Sequence, residues 1–326
     1  MRRKRKQTVV ILLLLVVLSF LLLLSDTLTN EKDKEIYNIS IITTGKNSEG
    51  LMIMKQGIDQ AASEMNVNIS FVTLSEDNNY TEQAELITRE IKNGADAIII
   101  SPVDYEKMAE PIENAMKKIP VILIESTVKS GNVWPSISCD NYKLGINLAE
   151  EVVSSGKVKS NIAIVNNNLE CSSVKERYDG FMSVMNNTQN NCVFWKIQGD
   201  KQATYHNEAK RLLEENNVNA VVTFDSDMLE GIAQAKKDLI SINKDKSAIE
   251  IYGTGSTSRI ISFLEDKVIN ATAIQNEFNI GYLAVKTAKY KINGKNIENS
   301  TISSTVINTK NMYSEENQKL LFPFIR

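Results

Sequence analysis

The chain has 326 residues, 42% of them hydrophobic and 24% charged, so it exceeds one ordinary domain and two globular lobes are the natural prior. Five basic residues, Arg2, Arg3, Lys4, Arg5 and Lys6, crowd the first segment; taken out of a formal net charge of −3, they leave −8 for the remainder, a body too acidic to suit a nucleic-acid partner. Three cysteines without metal spacing and a single histidine, His206, argue against zinc and against a Ser-His-Asp site, and no cofactor is implied.

From Val9 to Leu24 every residue but Ser19 is apolar, a run of 16. As a helix it covers roughly 24 Å of a roughly 30 Å hydrocarbon layer, and taking in Thr8 and Ser25 makes it nearly adequate. Its Leu, Ile, Val and Phe residues sum to roughly −5 to −9 kcal/mol on the insertion scale, so insertion is favoured. The basic cluster precedes it, which keeps residues 1–8 in the cytoplasm and exports everything after Ser25. No small-x-small site and no lipid-attachment cysteine follows. The expectation is therefore an uncleaved, single-pass signal anchor over 9–25 in the cell membrane, with a cleaved signal peptide as the alternative. Residues 26–35, mostly polar and charged, read as a short tether.

Short β-branched runs then alternate with segments of helical period. Strands are predicted at Ile36–Thr43, Asn68–Ser75, Ala97–Ser101, Val121–Ile124 and Trp134–Ser138, with helices at Leu51–Met65, Thr81–Asn93 and Lys107–Lys118 between them. The first helix carries Leu51, Met54, Ile58, Ala61 and Met65 on one face, and its methionines Met52, Met54 and Met65 read as core. The series continues with helix Tyr142–Ser154, strand Ile162–Val165, helix Ser173–Asn186, strand Val193–Ile197 and helix Thr204–Glu215. Strand Ala220–Phe224, helix Met228–Lys237, strand Glu250–Gly253, helix Ser258–Glu265, strand Ala271–Gln275, helix Ile280–Ile292 and a last strand Thr301–Asn308 complete it. Such βαβ units mean parallel sheets covered on both faces. There are too many strands for one small sheet, so the fold class is α/β with two doubly wound lobes.

Ligands of such sheets bind beyond the carboxyl ends of the strands. The loops there, Thr43–Ser48, Ser101–Asp104, Glu125–Ser126, Asn166–Ser173, Asp225–Asp227, Gly253–Ser258 and Gln275–Glu277, are rich in hydrogen-bonding groups. In Asn166–Phe181, Ser173-x-x-Glu176 reads as a capping box, which puts Arg177 in the first helical turn, where a cation is mildly unfavourable. Either an acceptor-rich ligand compensates it, or it is an exposed arginine paired with Asp179 or Glu176. Asp140 and Asp227 precede helices and suit N-caps. Cys171 and Cys192 are small buried apolar residues or an extracellular pair; spacing does not decide. Gly253-x-Gly255 lacks the remainder of a dinucleotide fingerprint. Glu125, Asp140, Asp225 and Asp227 have no spacing that sets a catalytic carboxylate pair.

The stretches Gly94–Asp104 (GADAIIISPVD), Ile119–Ser126 (IPVILIES), Ser138–Gly145 (SCDNYKLG), Ser173–Phe181 (SVKERYDGF) and Ala271–Val285 (ATAIQNEFNIGYLAV) together resemble the type 1 periplasmic binding proteins, the ribose-binding group. The resemblance runs over almost all of Ile36–Asn308. It implies two α/β lobes joined by three hinge strands, residues 36–138 plus 276–306 in the first and 139–275 plus 307–326 in the second, closing on a sugar or similar small polar molecule. It also implies ligand-binding roles. Arg177 matches the arginine that meets sugar hydroxyls and Gln275 the hinge glutamine. Ser48 stands at the first-loop asparagine, Glu125 replaces the strand-end aspartate with Ser126 beside it, and Ser226 lies where an asparagine is common. Asp200 joins the candidates, and Gly255 occupies the place of an expected aspartate. The stacking phenylalanines are replaced by Gly50 and Leu51, so Trp134, Tyr80 or Tyr105 would have to supply a ring contact, unless the ligand is not a plain aldose or the lobe pair is degenerate.

The resulting expectation is a membrane-anchored, extracytoplasmic solute-binding protein, not an enzyme. It would deliver solute to an ABC permease or act as the sensing ectodomain of a membrane histidine kinase, as in the anchored xylose-binding relatives it resembles. An enzyme lacks a nucleophile–base set, and a repressor built on the same lobes would need a helix-turn-helix where the leucine-rich span stands.

Overall fold

The computed structural model describes residues 14–20, 36–43, 49–76, 78–165, 168–197, 202–215, 217–295 and 300–321. Residues Met1–Ile36 form one unit and Tyr37–Arg326 a second, compact one. In the first, residues 14–20 are helical with exposed side chains. No helix among the described residues is long and apolar enough to cross a membrane. The rest of the expected anchor, with the basic tail and the tether, lies outside the described residues.

The second unit holds two six-stranded sheets. The first uses β1 (Tyr37–Thr43), β2 (Val67–Thr73), β3 (Ala97–Ile100), β4 (Val121–Ile124), β5 (Ser136–Cys139) and β11 (Ser300–Ile302), in the order β11-β5-β4-β3-β1-β2, all parallel. The second uses β6 (Asn161–Val165), β7 (Asn191–Trp195), β8 (Ala220–Thr223), β9 (Glu250–Thr254), β10 (Ala271–Gln275) and β12 (Ser304–Asn308), in the order β12-β10-β9-β8-β6-β7, with only β12 antiparallel. The central strands are continuous apolar runs because helices cover both their faces: Ala-Ile-Ile-Ile of β3 and Val-Ile-Leu-Ile of β4 are buried at every position. Those helices are α1 (Glu49–Met65), α2 (Tyr80–Lys92), α3 (Ala109–Met116), α4 (Asn141–Ser154), α5 (Ser172–Met185), α6 (Gln202–Glu215), α7 (Ser226–Ile242), α8 (Ser258–Glu265), α9 (Glu277–Ile292) and α10 (Glu315–Leu321).

The chain passes from one sheet to the other between β5 and α4, between β10 and α9, and at Ser303 between β11 and β12. The predicted single strand Thr301–Asn308 is thus two short strands, one in each sheet, and residues 304–306 pair with β10 rather than with the first sheet, where the expected lobe boundary at 306 had put them. Period alone does not register a crossing inside a β-branched run.

Helix–helix contact is closest at two pairs of glycines. A Cβ on Gly145 would stand 2.0 Å from the Arg177 carbonyl oxygen, and one on Gly180 2.0 Å from that of Tyr142, so α4 and α5 touch backbone to backbone. Gly57 and Gly281 do the same for α1 and α9, against Phe278 and Met54. Met54 is core as expected, but Met52 is 54% exposed.

Candidate functional site

β4 ends in Glu125, whose φ of 58° places an L-residue in the left-handed region. The Ser126 amide donates to the Ile124 carbonyl, which makes Glu125 the centre of a three-residue turn. Such backbone costs about 1–3 kcal/mol and persists where neighbours over-determine it. Here they do. The Glu125 amide donates to Ile137 O, and its carbonyl accepts Ser138 Oγ at 2.6 Å. The turn separates two directions: the Glu125 carboxylate accepts Ser101 Oγ at 3.1 Å, while Ser126, 2% exposed, points to the other lobe.

The second lobe answers with Arg177, Gln275 and Ser173. Helix α5 begins at Ser172, with Cys171 as N-cap and no side-chain cap bond. The expected capping box does not form, because the Ser173 hydroxyl is bonded to Ser126 Oγ at 2.8 Å instead. Arg177 therefore lies in the second turn, not the first. It pairs with neither Asp179, which takes Lys175 at 2.5 Å, nor Glu176; its Nε donates to Asn141 Oδ1 at 2.8 Å. Asn141, 3% exposed at the start of α4, is held in turn by the Ser138 hydroxyl and the Glu125 carbonyl. This chain of bonds links the arginine of one lobe to the strained turn of the other.

Gln275 closes β10 and is 7% exposed. Its Nε2 donates to Glu277 Oε1 at 2.9 Å and reaches Glu125 Oε1 at 3.5 Å. Gln275 Oε1 and Glu277 Oε2 are buried and have no hydrogen-bond partner among the described residues. Burial raises the Glu125 carboxyl above its ordinary range, against the Arg177 charge and the Ser101 hydroxyl. Burial, then the neighbouring Glu125 charge, pushes Glu277 up as well, with Gln275 and Arg177 opposing. Two carboxyls thus share a desolvated floor on which they do not readily ionise together.

Ser226 opens α7, where Asp225, not the expected Asp227, is the N-cap, accepting from Met228 N at 2.8 Å. Gly255 adjoins it at the end of β9 with φ 138°, and a Cβ there would meet Ser226 Cβ at 2.7 Å and Ile260 Cδ1 at 2.6 Å. That is why a side chain is missing where the resemblance led one to expect an aspartate. Asp140 caps α4 as predicted. Ser48 and Asp200 lie outside the described residues, as do Asn166 and Asn167. So Glu125, Ser126, Arg177 and Gln275 converge, while Ser226 and Gly255 form a patch of their own.

The two lobes also touch directly. Ser126 Oγ is 2.9 Å from Cys171 Sγ, Thr127 N donates to Ser172 Oγ at 2.7 Å, and Tyr105 N donates to Glu170 O at 2.8 Å. Asn168 donates to Asn78, and Glu49 accepts both the amide and the hydroxyl of Ser258 at the start of α8. All three cysteines are free, Cys139 and Cys171 buried. Of the rings considered for stacking, Trp134 packs on the first-lobe core and Tyr80 carries Lys107 over its face at 4.4 Å; Tyr105 stands beside the other lobe. A groove of about 530 Å³ between α2 and α3, lined by Tyr80, Ala84, Arg89, Lys107 and Pro111, contains none of the candidate residues.

Sequence reasoning missed Glu277, Asn141 and Ser173 as site groups. Glu277 lay inside a loop singled out as rich in hydrogen-bonding groups. Its signal was the spacing Gln275-x-Glu277, which sets both side chains at one strand end, but no pattern distinguishes that from a helix-start glutamate favoured by the dipole.

The sequence profile of a family described as "Periplasmic binding protein domain" matches residues 39–296. The ribose import binding protein RbsB of Bacillus subtilis is 23% identical over 85% of this chain and 88% of its own. Among solved structures, a carbohydrate transporter solute-binding protein from Agrobacterium radiobacter in complex with D-arabinose superposes with a TM-score of 0.82, at 21% identity, over 89% of this chain and all of that one. A structure titled XylFII–LytSN complex gives 0.76 at 25% identity, over 84% of this chain and 98% of that one.

Proposed function

The chain belongs to the periplasmic binding protein domain family, and we propose that it is an extracytoplasmic binding protein for a sugar or sugar-like solute, held between the two sheets. One observation carries the reading: Glu125 and Ser126 of one lobe and Arg177, Ser173 and Gln275 of the other meet at strand carboxyl ends, leaving buried polar atoms with capacity to spare. Orphaned buried polar groups cost about 1–3 kcal/mol each, and a solute that pairs them recovers that cost. Closure follows from the same arithmetic. A solute stabilises the closed arrangement by its differential affinity for it, and the closed shape is what a membrane partner reads. That relatives are named as binding proteins favours a role without catalysis.

Two partners fit. Delivery to an ABC permease accords with the relative named for ribose import. Signalling to a membrane histidine kinase accords with a leucine-rich segment at 9–25 acting as an uncleaved anchor and with the likeness to the structure titled XylFII–LytSN complex. Co-purification from membranes with a permease or with a kinase separates the two.

The site is tested by thermal shift and calorimetric titration against sugars, polyols and furanoses. Arg177→Ala should weaken any hit at least tenfold, since a charge-assisted hydrogen bond to a desolvated solute contributes about 1.5–3 kcal/mol. Undiminished binding by that variant would refute the assignment.

A further inference from the structure

We propose that the cleft selects a solute carrying a protonated amine beside its hydroxyls, an aminated sugar or cyclitol in preference to the neutral parent, with Glu125 and Glu277 sharing the ammonium group. This rests on the reading of the cleft as a small-solute site and names the class of solute.

The balance of donors and acceptors carries the inference. Beside the Thr43 and Thr223 hydroxyls, the buried side-chain atoms without a hydrogen-bond partner among the described residues are Gln275 Oε1 and Glu277 Oε2, a carbonyl and a carboxyl oxygen two residues apart. Of the nearby donors, Gln275 Nε2 is taken by the two glutamates, Ser101 Oγ by Glu125 and Arg177 Nε by Asn141, which leaves the terminal nitrogens of Arg177 for a solute's hydroxyl oxygens. Gln275 is 7% exposed, so water does not readily satisfy its carbonyl. A solute group that reaches those two oxygens must donate.

Hydroxyls also donate, and charge decides between the two. Glu125 and Glu277 each stand within 3.5 Å of one amide nitrogen, and a single guanidinium, that of Arg177, faces both. Glu176, beside the same arginine, adds to the acidic side. With both carboxyls ionised, one guanidinium would leave a surplus negative charge in a desolvated space, so at neutral pH the empty cleft keeps a proton on Glu277, which burial and the Glu125 charge push up to about 8. A neutral sugar leaves that proton in place, whereas an ammonium takes its place between the two carboxylates. An ammonium brings one compensating charge and three donors for Gln275 Oε1, Glu277 Oε2 and a Glu125 oxygen.

The test is calorimetric titration of the full chain in mild detergent at neutral pH with matched trios: glucose, glucosamine and N-acetylglucosamine, then the galactose and mannose sets and an aminocyclitol with its parent. An aminated member should bind at least about tenfold more tightly than both its hydroxyl parent and its N-acetyl form, the advantage of a charged over a neutral donor. Glu277→Gln should bring the amine-to-parent ratio close to one, while a solute-free melting temperature equal to or above the wild type shows that the fold is kept. Binding of a neutral parent as tight as that of its amine overturns this proposal and leaves the solute-site reading intact. A ratio unchanged in Glu277→Gln removes Glu277 from it, and no binding by any member overturns the solute-site reading itself.

Discussion

The contact between α4 and α5 supports a prediction in which stability and binding fail together. In Gly145→Ala the new methyl would lie 2.0 Å from the Arg177 carbonyl oxygen and 2.8 Å from its carbon, whereas ordinary contact begins near 3.4 Å. Both atoms are backbone, so no side chain can swing aside; the helices must part by about 1 Å or more. Overpacking of a well-packed contact costs about 1–3 kcal/mol. The helix gains about 0.5–1 kcal/mol from losing a glycine. The net expectation is a loss of about 1–2 kcal/mol, read as a lower urea midpoint at unchanged slope. The residue displaced is Arg177, whose 2.8 Å bond to Asn141 spans the same two helices, so an ångström of separation breaks it. Affinity for solute should fall about tenfold as a result. Gly50→Ala is the control: nothing lies within 4 Å of its new methyl, so it should be neutral or slightly stabilising. A Gly145→Ala protein as stable as Gly50→Ala, with wild-type affinity, would refute the reasoning.

Other outcomes follow from buried charge and from the contacts between lobes. The Glu277 carboxyl is pushed up to about 8, above its unfolded value, so the native state binds the extra proton in between. Its contribution to stability is therefore full below about pH 4.5 and lost as pH rises towards 8; Glu277→Gln should abolish about 1–3 kcal/mol of that decline, seen as a flatter melting temperature across the range. Lys236 is 2% exposed with one carbonyl partner, Val268 O at 2.8 Å, and burial lowers its ammonium to about 8. Here the unfolded state holds the extra proton, so wild-type stability should climb between pH 8 and 10.5, and Lys236→Met should gain about 1–3 kcal/mol at pH 7 in urea unfolding and lose that advantage by pH 10. Glu49→Gln weakens the carboxylate contact with the start of α8 and should raise the dissociation constant roughly three- to tenfold, mainly through faster release in stopped-flow traces.

Much of the fold was legible because continuous β-branched runs and helical periods are local signals. Val121–Ile124, Ser258–Glu265 and Ala271–Gln275 stand where the pattern placed them. The switch at Ser303 was not legible, since both strands it joins are β-branched and what divides them is the partner each finds. At the site, chain order identified strand ends, so Glu125 and Gln275 were reachable. The role of Ser173 was not: its spacing to Glu176 satisfies a capping rule, and only the opposite lobe, through Ser126, draws the hydroxyl away. Arg177 was singled out by its place near a helix start and again by resemblance, while its partner Asn141 is 36 residues distant and no local pattern joins them. Gly255 looked like a loss, and the crowding by Ser226 and Ile260 explains it.

Closure of the two lobes on a solute is tested most directly by the distance between them. Spin labels at Glu113 of the first lobe and Glu215 of the second, both on exposed side chains, report it by pulsed electron resonance. With a solute that binds, the distribution should collapse to one narrow population at the separation set by the Ser126–Ser173 and Glu49–Ser258 contacts, and Arg177→Ala should keep the broader distribution at the same solute concentration. A bound solute that leaves the distribution as it was would contradict the account.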